Sequence, residues 1–100
     1  MTIAEIQAET CKIWGISTDQ LTAGRFVEFW EPRRAAVLAC VEIFGYPLAE
    51  VERAFGISAG YATKIRLHKR VPGFIDRIRT DKLRKCCEQH KKQIAESMAG

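Results

Sequence analysis

The sequence predicts an all-α fold of five or six short helices in one domain, and three observations carry that prediction. Capping boxes and helix-opening prolines mark starts along the chain. Glycines stand where the helices must stop, and apolar residues recur between them at three- and four-residue spacing, while strand-like alternation is scarce. One hundred residues are a single domain's worth of chain, able to bury somewhat more than roughly 60% of its unfolded surface without staples. A composition of 47% hydrophobic and 28% charged residues excludes wholesale disorder and a collagen-like chain.

The elements follow in order. Thr2 with Glu5 forms a capping box, and Ile3, Ile6, Ile13 and Trp14 recur at near-helical spacing until Gly15 supplies a stop. Ser17 with Gln20 repeats the box and starts a short turn around Asp19 to Leu21. Thr22 to Glu31 has no clean period and reads as a loop that leans on the core through Phe26, Phe29 or Trp30. Pro32 suits the first position of the next helix, since its missing N–H is not needed there. In that helix Val37, Cys40, Val41 and Phe44 share one stripe among small alanines, and Gly45 ends it; this is expected to be the central, most buried helix.

Pro47 opens a shorter helix with Leu48, Val51, Ala54 and Phe55 on its apolar stripe, closed by Gly56. Ser58 is placed to cap another, running to about Val71, where Pro72 and Gly73 break it. The last segment carries Phe74, Ile75, Ile78 and Leu83 before turning polar. The expected organisation is therefore a helical domain over residues 1–86 and a polar helix extension or frayed tail over 87–100.

Several classes of function lose support at this point. No apolar run approaches the roughly 18 residues of a membrane span. The N-terminus MTIAEIQAET carries acids where a signal peptide carries bases, so a cytoplasmic protein with no membrane partner is expected. Cys11 and Cys40 sit in apolar helical patterns, and the adjacent Cys86 and Cys87 read as reduced thiols, the more exposed of the four. Cys86, Cys87 and His90 offer three metal ligands without a fourth at a recognised spacing, so neither a metal nor any other cofactor is expected. No Ser, His and Asp set, no paired carboxylates in an apolar setting and no activated cysteine supports catalysis, and an enzyme is not expected. Trp14 and Trp30 read as core anchors rather than stacking platforms, and His68 and His90 as surface residues.

Charge is unevenly placed. Residues 1–50 hold four bases and seven acids, net −3, whereas 51–100 hold twelve bases and five acids, net +7. An anionic partner is expected to meet the second half. There the segment Leu48 to Ile65 has the spacing of a helix-turn-helix: Gly56 at the turn, Ile57 plugging the gap, Ser58 capping, and Val51, Phe55, Ala62 and Ile65 fixing the crossing angle. A plain helical hairpin has the same ingredients, but the basic run that follows favours DNA.

If Ala62 and Ile65 face inward, 100° per residue turns Gly60, Thr63, Lys64 and Leu67 outward with Tyr61 on the flank. Lys64 and Thr63 suit guanine, adenine or phosphate, and Leu67 or Tyr61 a thymine methyl. Arg66, Lys69 and Arg70 suit phosphates. Inside a helix Gly60 costs about 1 kcal/mol relative to Ala, which points to close backbone approach or a weak first turn. Arg77, Arg79, Lys82, Arg84 and Lys85 either continue a phosphate-binding stripe or keep the last helix solvated.

From Thr2 to about Leu83 the chain resembles the C-terminal DNA-binding domain of the bacterial chromosomal replication initiator DnaA, which has a Trp-repressor-like fold. IAEIQAETCKIWGISTDQL is similar to that family's opening helix and "x-V-S-x-x-D-L" turn, and Arg25 falls in the region of its basic loop. EPRRAAVLACVEIFGYPLAEVERAFG is similar to its "R-P-R-Q-x-A-M-x-L" stretch and the helix ending in Phe-Gly.

The resemblance implies binding to double-stranded DNA, with the second helix of the motif in the major groove and Arg25 reaching the minor groove. Arg33, after the matching Pro32, is implied as a backbone contact, and Ser58, Gly60, Tyr61, Thr63, Lys64, Arg66, Lys69 and Arg70 complete the expected DNA-contacting set. It further implies a bacterial or phage-encoded, nucleoid-associated regulator of replication initiation or transcription.

The departures bear on specificity. Where the family reads "x-R-D-H-[ST]-T-V", this chain has Ile57, Ser58, Ala59, Gly60, Tyr61 and Ala62, and Ala59 and Gly60 offer no side-chain hydrogen bonds to bases. Glu31 replaces the family's first arginine, and TAGRFVEFWE its basic loop. Binding to the initiator's own box is not expected, nor is its ATPase domain, since no phosphate-binding loop occurs. Contact is expected through a single basic face, phosphate-dominated and steeply salt-dependent. The competing expectation is a protein-interaction module on the same scaffold that binds the replication initiator or its regulators.

Overall fold

In the computed structural model, which describes residues 1–22, 29–67 and 77–99, the described residues form helices joined by short turns, with no strand among them. The elements are α1 (Ile3–Trp14), α2 (Thr18–Thr22), α3 (Trp30–Leu38) running directly into a π-helical segment (Ala39–Ile43), α4 (Leu48–Phe55), α5 (Tyr61–Leu67) and α6 (Arg77–Ala99). No helix among them is long and apolar enough to cross a membrane. The expected loop contact through Phe26 and the break at Pro72 and Gly73 lie outside the described residues, as do Phe74 and Ile75.

Both capping boxes form. The Thr2 Oγ1 accepts the Glu5 N–H at 3.1 Å while the Thr2 N–H donates to Glu5 Oε1 at 2.9 Å, and Ser17 and Gln20 exchange the same pair of bonds at 3.1 and 2.9 Å. Along α1, Ile3, Ile6, Gln7 and Thr10 are buried. The two polar members are satisfied: Gln7 Nε2 donates to the Ala54 carbonyl at 2.9 Å, tying α1 to α4, and Thr10 Oγ1 donates to the Ile6 carbonyl at 2.7 Å.

α3 is the central helix, packed against α1, α2, α4, α5 and α6. Ala35, Ala36 and Val37 are buried there, the alanines letting neighbouring helices approach closely. It begins at Trp30, two residues before the position expected from Pro32. Pro32 is tolerated as the third helical residue because the first four N–H groups of a helix have no intrahelical acceptor. The stripe expected to run to Phe44 changes character at Ala39. From there the chain winds as a π-helix, with the Phe44 N–H donating to the Ala39 carbonyl at 3.3 Å. Cys40 remains buried, but the wider turn leaves Val41 and Phe44 half-buried. Lys91 Nζ reaches across from α6 to the Ile43 carbonyl at 2.7 Å, satisfying an acceptor at the segment's end.

On α6, Leu83 and Cys87 face the core four residues apart. Ile78, expected on the same stripe, is 82% exposed; five residues before Leu83 it lies about 140° around the helix from it. Cys87, expected to be exposed and to open the tail, is fully buried with Cys40 and Leu83. The boundary expected after residue 86 therefore falls inside a continuous helix whose inner face is still core at Cys87. Burial pushes the Cys40 thiol up to about 12 and the Cys87 thiol up to about 11.

Candidate nucleic-acid interface

The helices α4 and α5, with five residues between them, are the pair whose spacing reads as a helix-turn-helix in the sequence. α4 turns Val51, Glu52 and Phe55 inward, with Leu48 half-buried beside them. Ala54, expected on that stripe, is exposed; Glu52 holds the inward position instead. The helix closes in a Schellman pattern: the Gly56 N–H donates to the Arg53 carbonyl at 3.3 Å and the Ile57 N–H to the Glu52 carbonyl at 3.0 Å. Gly56 has φ +64°, and a Cβ there would stand 3.0 Å from the backbone oxygen of Thr22 at the end of α2. Both conditions select glycine. Ile57 then packs half-buried against the core, as its plugging position predicts.

The turn differs from expectation in how α5 starts. Ser58 does not open the helix, since its carbonyl accepts the Tyr61 N–H at 3.0 Å across a turn in which Gly60 takes φ +86°. Gly60, expected as an outward residue of the helix, therefore precedes it, and its cost inside a helix does not arise. The capping bond comes from α4: Glu52 Oε2 accepts the Ala62 N–H at 3.0 Å, with Glu52 7% and Ala62 1% exposed. A buried carboxylate at the N-terminal turn of α5 thus fixes the two helices' mutual angle. The pattern did not assign Glu52 this place. Its position between Val51 and Phe55, on the inward side of α4, is the signal that finds it.

Of the expected contact residues, the structure brings together Tyr61, Lys64, Arg66 and Leu67 as exposed side chains of α5, with Ser58 and Gly60 exposed on the turn before it. Thr63 is half-buried, and Ile65 packs half-buried against the core. Leu67 is 72% and Tyr61 44% exposed, large values for apolar side chains. Arg33, expected at the DNA backbone, is turned inward. It is 6% exposed, with Nε donating to the Leu21 carbonyl at 2.8 Å, and burial lowers its pKa. It is a strut between α3 and α2 because the Leu21 carbonyl at the buried end of α2 needs a donor. Arg25, Lys69 and Arg70 lie outside the described residues.

Among the described residues no group of His, Cys, Asp and Glu side chains comes together to hold a metal ion. On α6 the bases at 77, 79, 82, 84 and 85 are exposed, and Arg84 is paired with Asp81 at 3.2 Å. Comparison of the chain with protein-family models, with curated proteins and with solved structures finds no match in any of the three.

Proposed function

We infer that this protein binds double-stranded DNA by laying α5 in the major groove, and that it acts as a small bacterial or phage-encoded, nucleoid-associated regulator of replication initiation or transcription. The observation that carries the reading is the α4–turn–α5 unit itself. Val51, Phe55 and Ala62 close its inner face, Glu52 holds its angle, and α5 exposes Lys64 and Arg66 with no acid between Ser58 and Leu67. The scaffold is all-α among the described residues, and the resemblance to the initiator's DNA-binding domain, with its Trp-repressor-like fold, supplies the link to replication.

Titration of mixed-sequence duplexes at several salt concentrations tests this. Ser58 to Arg70 holds four bases. If each neutralises one phosphate, log K falls against log salt with a slope of about −3.6. Lys64→Glu combined with Arg70→Glu weakens binding across all sequences. Absence of binding at low salt, or binding unchanged in that double variant, refutes the reading.

The burial of Arg33, which takes away one implied phosphate contact, favours a second reading in which the scaffold binds the replication initiator or its regulators. Complex formation with the initiator by a protein that leaves duplexes untouched at low salt is its expected signature.

A further inference from the structure

We propose that α5 reads thymine through its 5-methyl group, with Leu67 and Tyr61 as the specificity-determining side chains; this rests on the DNA-binding reading above. The exposed residues of α5 are Tyr61, Lys64, Arg66 and Leu67. Tyr61, Lys64 and Leu67 recur every three residues, so they span about 120° of the helix surface and form one continuous face. Arg66 lies about 160° around the helix from Lys64 and about 100° from Leu67, off that face, where a phosphate is the nearer partner.

Among the described residues this face keeps few other groups able to read a base edge. Gly60 has left the helix, Ala59 carries no hydrogen-bonding side chain, and Thr63 is half-buried. What is left among the described residues is the Lys64 ammonium between the Leu67 side chain and the Tyr61 ring, whose hydroxyl is the face's other polar atom. In the major groove the apolar feature that distinguishes one base from another is the methyl of thymine. A 72% exposed leucine on a helix flanked by bases has an apolar partner there that water does not supply. Six residues of helix separate Tyr61 from Leu67, a rise of about 9 Å, which matches two or three base-pair steps of 3.4 Å. Two thymines spaced by two or three steps, with a base carrying a major-groove acceptor between them for Lys64, is the site class that this face fits.

The test compares mixed-sequence duplexes made with thymine against the same duplexes made with uracil throughout. The exchange deletes the methyl and leaves every hydrogen-bonding group in place. Transfer of one methyl from water corresponds to about a fourfold change in affinity, so the thymine duplexes are expected to bind about 4- to 15-fold more tightly. Leu67→Ala should cut that preference to about fourfold or less, the share of the methyl that Tyr61 reads. Leu67 is a surface residue, and an unchanged far-UV circular dichroism spectrum and thermal midpoint show that the variant is folded. Salt-dependent binding with thymine and uracil equal overturns the methyl reading and leaves DNA binding standing. No binding to either duplex at low salt overturns both.

Discussion

Truncation of Glu52 is the most direct probe of how α5 is held. The carboxylate is 7% exposed and accepts the N–H of Ala62, itself 1% exposed, at 3.0 Å. Glu52→Ala leaves that N–H buried without an acceptor, which costs about 1–3 kcal/mol. Release of a buried carboxylate from its own desolvation offsets part of the loss, so the lower half of that range is expected. Glu52→Leu restores the volume without the acceptor and should lose a similar amount. Glu52→Gln keeps an oxygen in reach of the N–H and forfeits only the charge assistance, about half the bond.

Urea unfolding read by far-UV circular dichroism orders the variants. The midpoint should fall for Ala and Leu, stay close for Gln, and show an unchanged m value in all three. For a domain of this size, 1–2 kcal/mol also lowers Tm by roughly 4–16 °C. If Glu52→Leu is as stable as the unaltered protein, the hydrogen bond contributes nothing and the account of α5 positioning is wrong. If Glu52→Gln falls as far as Glu52→Ala, the charge rather than the acceptor is responsible.

Three further outcomes are expected. Gly56→Ala should destabilise more than Gly15→Ala. Both residues have positive φ, but only at Gly56 does the new Cβ meet backbone, the Thr22 oxygen at 3.0 Å; equal midpoints in thermal melts would remove the close approach from the explanation. Arg33→Met keeps most of the side-chain stem and strands the Leu21 carbonyl, so stability should drop by about 1–3 kcal/mol while the salt slope of DNA binding is unchanged; a shallower slope in the folded variant would return Arg33 to the phosphate backbone. Cys40 and Cys87 titrate near 9 when unfolded and at about 12 and about 11 when folded. The unfolded chain therefore loses these protons first, and stability falls as pH rises above 9, by about 2 kcal/mol between pH 9 and 10 for the two together; a Cys40→Ala, Cys87→Ala variant should lack that decline, and the same decline in both proteins would assign it to other groups.

What was legible in the sequence was what is held locally. Thr2 with Glu5, Ser17 with Gln20, and Gly15 and Gly56 act over three to five residues, so their types and spacing alone specify the geometry. The inward positions of Val51, Phe55, Ala62 and Leu83 follow from helical period. The start of α5 did not follow, because its capping bond comes from Glu52, ten residues back and on another helix, and a serine at a turn is the commoner solution. Arg33 and Cys87 were misplaced for a related reason. A basic residue beside another, or a cysteine in a polar run, reads as surface until the partner that buries it is known, here the Leu21 carbonyl for the first and the α3–π segment packed on α6 for the second. The π segment has no local signature in ACVEI, and a helix-period reading carries straight through it.

The two buried charged side chains among the described residues are used internally, and that use constrains any DNA complex. Arg33 ties α3 to the end of α2, and Glu52 ties α4 to the start of α5. At Gly56, which closes α4, a Cβ would stand 3.0 Å from the Thr22 backbone oxygen of α2. Together these fix α5 against α2, α3 and α4 before any ligand arrives, so little ordering of the motif itself remains to be paid on binding. The same arrangement leaves α5 with few polar groups to present. On the DNA-binding reading proposed above, affinity then comes from phosphates, and discrimination from Lys64 with Tyr61 and Leu67 beside it. A rigid, sparsely polar reading head of that kind tolerates many sequences at similar strength, which suits a protein that occupies numerous related sites better than one that commands a single operator.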